Sequence, residues 1–212
     1  MKKLLICIAM AITALSCKAQ AQDVIKLDAP DLSRGKSVMT AFSERQSIRE
    51  YSTKEFSAAD LSDLLWAANG INRPETGMRT AASCLNKQDV DIYVFMKSGA
   101  YLYDAKNSAL SLVAAGDNRD AVVAGQMFAA DAPVMLVLVS DLSLFSGIND
   151  AGSNQMGAID VGIVSGNISM FCAGAGLATV PRATMDKDKI RTILKLKADQ
   201  LPILNHPVGY IK

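Results

Sequence analysis

The apolar positions follow two spacings, one typical of helices and one typical of buried strands. Leu61, Leu64, Leu65 and Ala68 form a stripe at helical spacing behind Ser57, which can cap a helix. "VDIYVFM" (90–96) and "APVMLVLVS" (132–140) are short apolar runs. Such runs predict strands, and Pro133 bounds one that we expect to be buried on both faces.

The same patterns divide the rest of the chain. They predict a loosely structured N-terminal segment (22–36) and a loop (71–89). Helices are predicted over 36–44, 57–69, 155–175 and 187–196, and from Asp117 or Asn118 to about Ala130. Strands are predicted over 90–96, 100–104, 132–140, 177–185 and 203–211. No repeat or linker interrupts them, so one domain over 22–212 is the predicted organisation.

The first 21 residues have the pattern of an export signal. Lys2 and Lys3 precede a 13-residue apolar run, which is too short for a membrane span of about 20 residues. Ala19-Gln20-Ala21 fits a cleavage site, and "ALSC" offers a second reading in which Cys17 carries a lipid anchor. Both readings predict an exported protein, soluble and periplasmic in the first and membrane-anchored in the second.

Charge and rare residues exclude several functions. Without residues 1–21 the chain has 19 basic and 21 acidic residues, so its net charge is −2 and it has no general attraction for nucleic acid. His206 is the only histidine and no C-x-x-C occurs, so we expect no metal site. Cys84 and Cys172 could form one disulfide or remain free thiols.

The longest predicted helix carries small residues at three- and four-residue spacing: Ala158, Gly162, Ser165, Gly166, Ser169 and Ala173. Glycine costs about 1 kcal/mol relative to alanine inside a helix. Two explanations remain open. The helix packs closely inside its own domain, or it crosses its symmetry mate in a dimer.

Three segments carry candidate chemistry. "ERQSIREY" places Arg45, Ser47 and Arg49 on one turn of chain, and such guanidinium forks with a hydroxyl suit a phosphate. Asn86 and Gln88 precede a strand, where their amides suit the edge of a heterocycle. "AGAGLATVPRAT" (173–184) ends a helix rather than starting one, so it is not a dinucleotide fingerprint.

Taken in order, these segments resemble the FMN-dependent nitroreductase family over residues 40–212. The resemblance includes "ERQSIREY", "LSDLLWAANGI", "RTAASCLNKQDVDIYVF", "GAYLYD", "APVMLVLVS", the 160–190 segment and the closing "HPVGYIK". The short form is most similar to the subgroup related to peptide-cyclodehydratase-associated oxidases.

The resemblance implies an α+β, three-layer fold with a mostly antiparallel central sheet, and a homodimer whose interface contains the long helix. It also implies an FMN-dependent oxidoreductase in which hydride moves by a ping-pong cycle through flavin N5 to an electron-poor acceptor such as a nitroaromatic or quinone. The implied cofactor-binding residues are Arg45, Gln46, Ser47 and Arg49 at the phosphate, Asn86 and Gln88 at the ring edge, and the backbone of Pro181, Arg182, Ala183 and Thr184 near N5.

Other expectations follow from the same resemblance. No protein side chain is expected to act as catalyst, and NAD(P)H or another donor would supply electrons. Many relatives have glycine near Ala183-Thr184 and a basic C-terminal arm, for which Lys212 is a partial substitute. A flavin-dependent oxidase or dehydrogenase of a secreted metabolite, and a non-catalytic flavin-binding exported protein, remain the alternatives.

Overall fold

The computed structural model describes residues 22–212; the predicted export signal, including Cys17, lies outside the described residues. Residues 22–212 form five α-helices and nine β-strands, which alternate irregularly along the chain. The helices are α1 Val38–Glu44, α2 Ala58–Asn69, α3 Asp120–Val123, α4 Asp150–Ala175 and α5 Lys187–Leu194. The strands are β1 Val24–Lys26, β2 Ile71–Arg73, β3 Met78–Arg79, β4 Val90–Met96, β5 Gly99–Asp104, β6 Ala109–Ala115, β7 Val134–Asp141, β8 Leu177–Thr179 and β9 Gln200–Tyr210.

Seven strands form one sheet in the order β1-β6-β5-β4-β7-β9-β8, and β2 with β3 forms a separate hairpin. Every strand pair in the described part of the chain is antiparallel. The long helix α4 packs against α1, α2 and β7. The predicted α+β fold with a mostly antiparallel sheet and one long helix is therefore confirmed.

The central strand β7 shows why the sheet has helices on both faces. Val134, Leu136 and Leu138 belong to a core cluster shared with α2 and α4. Met135, Val137 and Val139 belong to a second cluster shared with α3 and α5. An uninterrupted apolar strand needs a cover on each side, and the two clusters supply it.

Local capping sets the helix boundaries. Ser57 Oγ accepts the Asp60 N–H at 3.0 Å and starts α2, and Asp186 does the same for α5 through the Lys189 N–H at 3.1 Å. Asn149 caps α4, which therefore begins five residues earlier than the predicted 155. Gly176, at φ +70°, ends α4 in the left-handed conformation that glycine adopts readily.

The prediction of one continuous helix over 117–130 is wrong. Only the four residues of α3 are α-helical, and a 3₁₀ turn follows over Met127–Ala129. Ala124 and Gly125 take left-handed backbone conformations. The side chain of Arg182 donates to the carbonyls of Val122 and Val123, which a longer helix would have used internally.

Four strands were also missed. The N-terminal segment (22–36) contains β1, which pairs with the edge of β6, and no element was predicted over β6 itself. The predicted loop over 71–89 contains the β2–β3 hairpin. These strands are short or rich in alanine, so the local pattern is weak and pairing with distant strands decides their conformation.

Candidate functional site

The Arg-Gln-Ser-x-Arg turn leaves α1 and runs along the outer strand β8. Arg45 is the C-terminal cap of α1, and the Ile48 N–H donates to the Thr179 carbonyl at 3.0 Å. Arg45, Gln46, Ser47 and Arg49 are all exposed. Neither Arg45 nor Arg49 forms a salt bridge with any carboxylate of residues 22–212. Both guanidinium groups are therefore available to an external anion.

An open cleft of about 400 Å³ lies beside this turn, within the size range of small-molecule sites. Arg45 and Gln46 form one wall, and the end of α4 with the start of β8 forms another. Lys36 also lines the cleft and pairs with Glu44 at 2.5 Å. The full lining is Lys36, Ser43, Glu44, Arg45, Gln46, Ile48, Ala173, Gly176, Leu177 and Ile211.

Arg49 lies on the same turn but is not among the residues that line the cleft. Its guanidinium carbon lies 5.8 Å from the centre of the Phe128 ring. Arg182 lies 5.4 Å from the same ring. Phe128 therefore connects the arginine turn with the 181–184 segment. Phe128 carries no site signal in the sequence, because it is a lone aromatic residue in a helix-like stretch.

The 181–184 segment exposes backbone but buries its arginine. Arg182 is 6% exposed, its Nε donates to Gln126 Oε1 at 2.9 Å, and its own N–H donates to the Asn205 carbonyl. Pro181, Ala183 and Thr184 are exposed. The N–H groups of Ala183 and Thr184 have no hydrogen-bond acceptor within residues 22–212. This segment can therefore donate to a ligand through its backbone, whereas the Arg182 side chain is held in the protein.

Asn86 ends a 3₁₀ turn over Cys84–Asn86, and Gln88 follows it in the loop that leads to β4. Gln88 Nε2 donates to Asn86 Oδ1 at 3.4 Å and to the Gly77 carbonyl at 3.2 Å. Gln88 Oε1 accepts from Arg79 Nε at 2.9 Å. Asn86 is exposed and keeps its Nδ2 group free of partners within residues 22–212. Arg79 is a residue that the sequence analysis missed, since isolated arginines are common on surfaces.

The two groups of predicted residues lie at different levels of α4 in one chain. The loop before Asn86 is bonded to Asp160, through the Cys84 N–H. The arginine turn lies near the end of the helix, where the Lys36 N–H donates to the Gly174 carbonyl. Fourteen helical residues separate these levels, which corresponds to about 21 Å. One chain therefore does not bring the arginine turn and the Asn86 loop together.

The small residues of α4 lie along one side of the helix, which completes a turn in about 3.6 residues, but they differ in burial. Ser165 is buried and bonds His206 Nε2 at 2.8 Å. Gly162 and Gly166 are exposed, and a Cβ at either would meet no atom within 4 Å. The helix therefore packs inside its own domain on one side and leaves a flat strip on the other.

Cys84 and Cys172, the two cysteines within residues 22–212, are free thiols. Cys172 is buried in α4. Burial and the neighbouring Asp160 raise the pKa of the Cys84 thiol to about 11, so it remains protonated at neutral pH. A protonated thiol is a poor nucleophile, which favours a packing role for Cys84 over a reactive one.

His206 lies beneath the site and is neutral. Thr179 Oγ1 lies 3.2 Å from its Nδ1, and burial lowers the pKa of His206 from 6.5 to about 3. The folded-state pKa of His206 is below its unfolded value. The stability that the protein has with a neutral His206 is therefore complete above pH 6.5 and is lost as the pH falls towards 3.

We expect His206→Gln to flatten the decline of the unfolding midpoint below pH 6.5, measured by thermal denaturation. If the unfolding midpoint of the variant falls with pH as steeply as that of the wild type, this interpretation is contradicted.

Comparisons with known proteins agree with this architecture. The sequence model of the nitroreductase family matches residues 42–210. A protein of Methanocaldococcus jannaschii named as a nitroreductase is 27% identical over 196 residues, which cover 88% of this chain and 97% of that protein. A crystal structure from Ralstonia eutropha, also named as a nitroreductase, is 32% identical with a TM-score of 0.84 and covers 91% of both chains.

A more distant structure shares the fold alone. It comes from Parabacteroides distasonis and is named as an NADH dehydrogenase/NAD(P)H nitroreductase. Its TM-score is 0.58 at 17% identity, with 83% of this chain and 88% of that chain covered. The family match spans most of the described residues and includes the arginine turn, the Asn86 loop and the 181–184 segment. The chain therefore belongs to the nitroreductase family and is a nitroreductase-like oxidoreductase.

Proposed function

We propose that the protein is an FMN-dependent oxidoreductase that reduces electron-poor acceptors such as nitroaromatics or quinones. One observation carries the proposal: the exposed turn at the mouth of the cleft bears two guanidinium groups without carboxylate partners. Planar guanidinium forks match the oxygens of a phosphate, and the Ser47 hydroxyl supplies a further donor. FMN, unlike riboflavin, carries such a phosphate.

The remaining predicted residues have suitable groups for the ring. The free N–H groups of Ala183 and Thr184 can donate to a ring nitrogen, and the Asn86 amide can bond the polar edge of a flavin. Phe128, between Arg49 and Arg182, lies next to the 181–184 segment and would form an apolar wall. The residues present therefore fit FMN.

Two subunits would complete each site. Val38, Met39 and Phe42 of α1 are 61–73% exposed, and Ile159 and Ile163 of α4 are also exposed. Exposed apolar surface of this extent is typical of an interface. We therefore place the homodimer contact on α1 and the flat strip of α4.

Helix geometry explains how a dimer would unite the separated residues. In an antiparallel packing of two α4 helices about Gly166, residue Asp160 of one chain lies level with Cys172 of the other. The Asn86 loop bonded to Asp160 would then approach the cleft of the partner subunit. Each site would combine the arginine turn of one chain with the Asn86 loop of the other.

Bound FMN would supply a two-electron carrier that accepts hydride at N5 and returns it in a ping-pong cycle. The protein would bind and orient this carrier and exclude water from one side of it. The one histidine of the chain is buried and neutral, so it cannot exchange protons with a bound substrate. No side chain is required as a nucleophile, acid or base.

The source of electrons and the location are further parts of the proposal. NAD(P)H is the donor that the family suggests. The export signal proposed for residues 1–21 would instead place the protein where NAD(P)H is scarce, in the periplasm or on a Cys17 lipid anchor. A reduced quinone or a partner electron carrier would then serve as donor.

The direct test is a titration of the purified protein with FMN, riboflavin and buffer alone. We expect flavin fluorescence to change with FMN, at one FMN per chain, and riboflavin to bind much more weakly because it lacks the phosphate. NADH and a reduced quinone are then compared as electron donors, with a nitroaromatic as acceptor. Equal affinities for riboflavin and FMN, or no binding of either, would contradict the proposal.

A further inference from the structure

The loop that carries Asn86 and Gln88 has an unusual backbone. Leu85, Asn86 and Gln88 have φ values of +53°, +52° and +51°. Residues with a Cβ rarely adopt this left-handed conformation, and Leu85 is a bulky residue with its side chain 68% exposed. Three such residues in four persist only where surrounding contacts hold them.

A buried carboxylate holds the start of this loop. The Cys84 N–H donates to both carboxylate oxygens of Asp160, at 2.9 Å and 2.8 Å. Asp160 is fully buried on α4. Within the loop, the Gln88 N–H donates to Ser83 Oγ at 2.9 Å. The strained backbone is therefore attached to the long helix through Asp160.

A second buried carboxyl, Asp89, closes the other end of the loop. Asp89 is 1% exposed, and its Oδ2 accepts from Ser140 Oγ at 2.5 Å. Its Oδ1 has no partner within residues 22–212. The helix approaches closely here, because a Cβ at Gly157 would overlap Ser140 Oγ. α4 and β7 are therefore in close contact beside Asp89.

The surroundings of the two carboxyls contain no ion-pair partner. Neither forms a salt bridge in the described part of the chain. The titratable group beside them is the Cys84 thiol. The Arg79 guanidinium bonds Gln88, the residue before Asp89. Two buried carboxylates in contact cannot both ionise easily, and burial followed by the contact with Asp160 raises the pKa of Asp89 to about 7.

We infer that a protonated Asp89 donates to Asp160 and that the two residues act as positioning residues, holding the Asn86–Gln88 loop in the conformation that binds the flavin ring. The inference rests on the proposed function for its ligand. Neither carboxyl contacts the flavin. The pair links ligand affinity to pH through the backbone of the loop.

The direction of the pH effect follows from the raised pKa. The folded-state pKa of Asp89 lies above its ordinary value of 3.8, so its contribution to stability is complete at low pH and is lost as the pH rises towards 7. Above that pH Asp89 loses the proton that it donates to Asp160, and the loss of this hydrogen bond loosens the loop. FMN affinity should then fall by up to about tenfold per pH unit.

The test compares wild type with Asp89→Asn, Asp89→Ala and Asp91→Asn. FMN affinity is measured from about pH 5.5 to about pH 9. The amide of Asp89→Asn donates permanently to Asp160, so this variant should keep the neutral-pH affinity of the wild type and lose its decline above pH 7. Asp89→Ala should bind weakly throughout. Asp91 lies on β4 and burial raises its pKa to about 6. Asp91→Asn is the control and should leave the affinity profile unchanged.

Wild type and Asp89→Asn with the same pH profile of affinity would overturn the inference. The FMN phosphate titrates equally in all variants. The ratio of the variant's affinity to the wild-type affinity at each pH therefore reports only the titration of protein groups. If neither the wild type nor any variant binds FMN, the proposed function fails. Hydrogen exchange at the Cys84 N–H in the FMN-free protein then still decides the role of Asp89 and Asp160. Faster exchange above pH 7 in wild type than in Asp89→Asn supports it, and equal exchange contradicts it.

Discussion

Replacing Arg45 and Arg49 together by alanine is expected to weaken FMN binding by about two to four orders of magnitude. Each charged hydrogen-bonding contact contributes about 1.5–3 kcal/mol, and a tenfold change in affinity corresponds to about 1.4 kcal/mol. Both side chains are exposed and have no carboxylate partner in residues 22–212, so the fold should be unaffected. Fluorescence titration with FMN measures the loss, and thermal denaturation checks the fold.

The matched control removes the same amount of charge elsewhere. Lys97 and Lys106 are exposed on the β4–β5 and β5–β6 turns. Their double alanine variant should bind FMN as the wild type does. Equal losses in the two double variants would show that net charge, rather than the arginine turn, controls binding. Unchanged affinity in the arginine variant would place the phosphate elsewhere.

Leucine at both Gly162 and Gly166 is expected to convert the protein to a monomer that does not retain FMN. Neither new Cβ meets an atom of its own chain within 4 Å, and leucine favours a helix over glycine by about 1 kcal/mol. The single chain should therefore fold at least as stably as the wild type. Two pairs of leucines would nevertheless separate the α4 helices of a dimer. Analytical ultracentrifugation measures the change in mass.

The control for this variant places leucine on another helix. Lys187 lies exposed at the start of α5, which packs on the opposite face of the sheet. Lys187→Leu should leave both mass and FMN content unchanged. A wild-type protein that sediments as a monomer, or a glycine double variant that remains dimeric, would contradict the interface placed on α4.

Capped helices and wholly apolar strands could be predicted from the sequence because their signals are local. Ser57 and Asp186 start helices by accepting a backbone N–H three residues later, which a short pattern reveals. The apolar run of β7 required helices on both faces, and the two core clusters provide them. The family resemblance added the mostly antiparallel central sheet, which spacing alone does not give.

The errors came from interactions between distant residues. The helix predicted over 117–130 is interrupted where the Arg182 side chain takes the carbonyls of Val122 and Val123, about sixty residues away in sequence. The strand β1 exists because the edge of β6 offers it partners. No local pattern contains this information.

The candidate site was predictable in its residues and not in its arrangement. The arginine turn, the Asn86 loop and the 181–184 segment were each identified by their residue types. The sequence did not reveal that α4 separates the first two, nor that Asp89 and Asp160 meet from residues 71 positions apart. Their contact depends on the packing of α4 over β4 and β7.

Mixed dimers test the shared site most directly. One chain carries Arg45→Ala with Arg49→Ala, and its partner carries Asn86→Ala with Gln88→Ala. A site built from the arginine turn of one chain and the loop of the other leaves one of the two sites intact, so FMN content should recover to about half that of the wild type. If each chain supplied both groups to its own site, both sites would be defective and the mixed dimer would bind no more FMN than either variant alone.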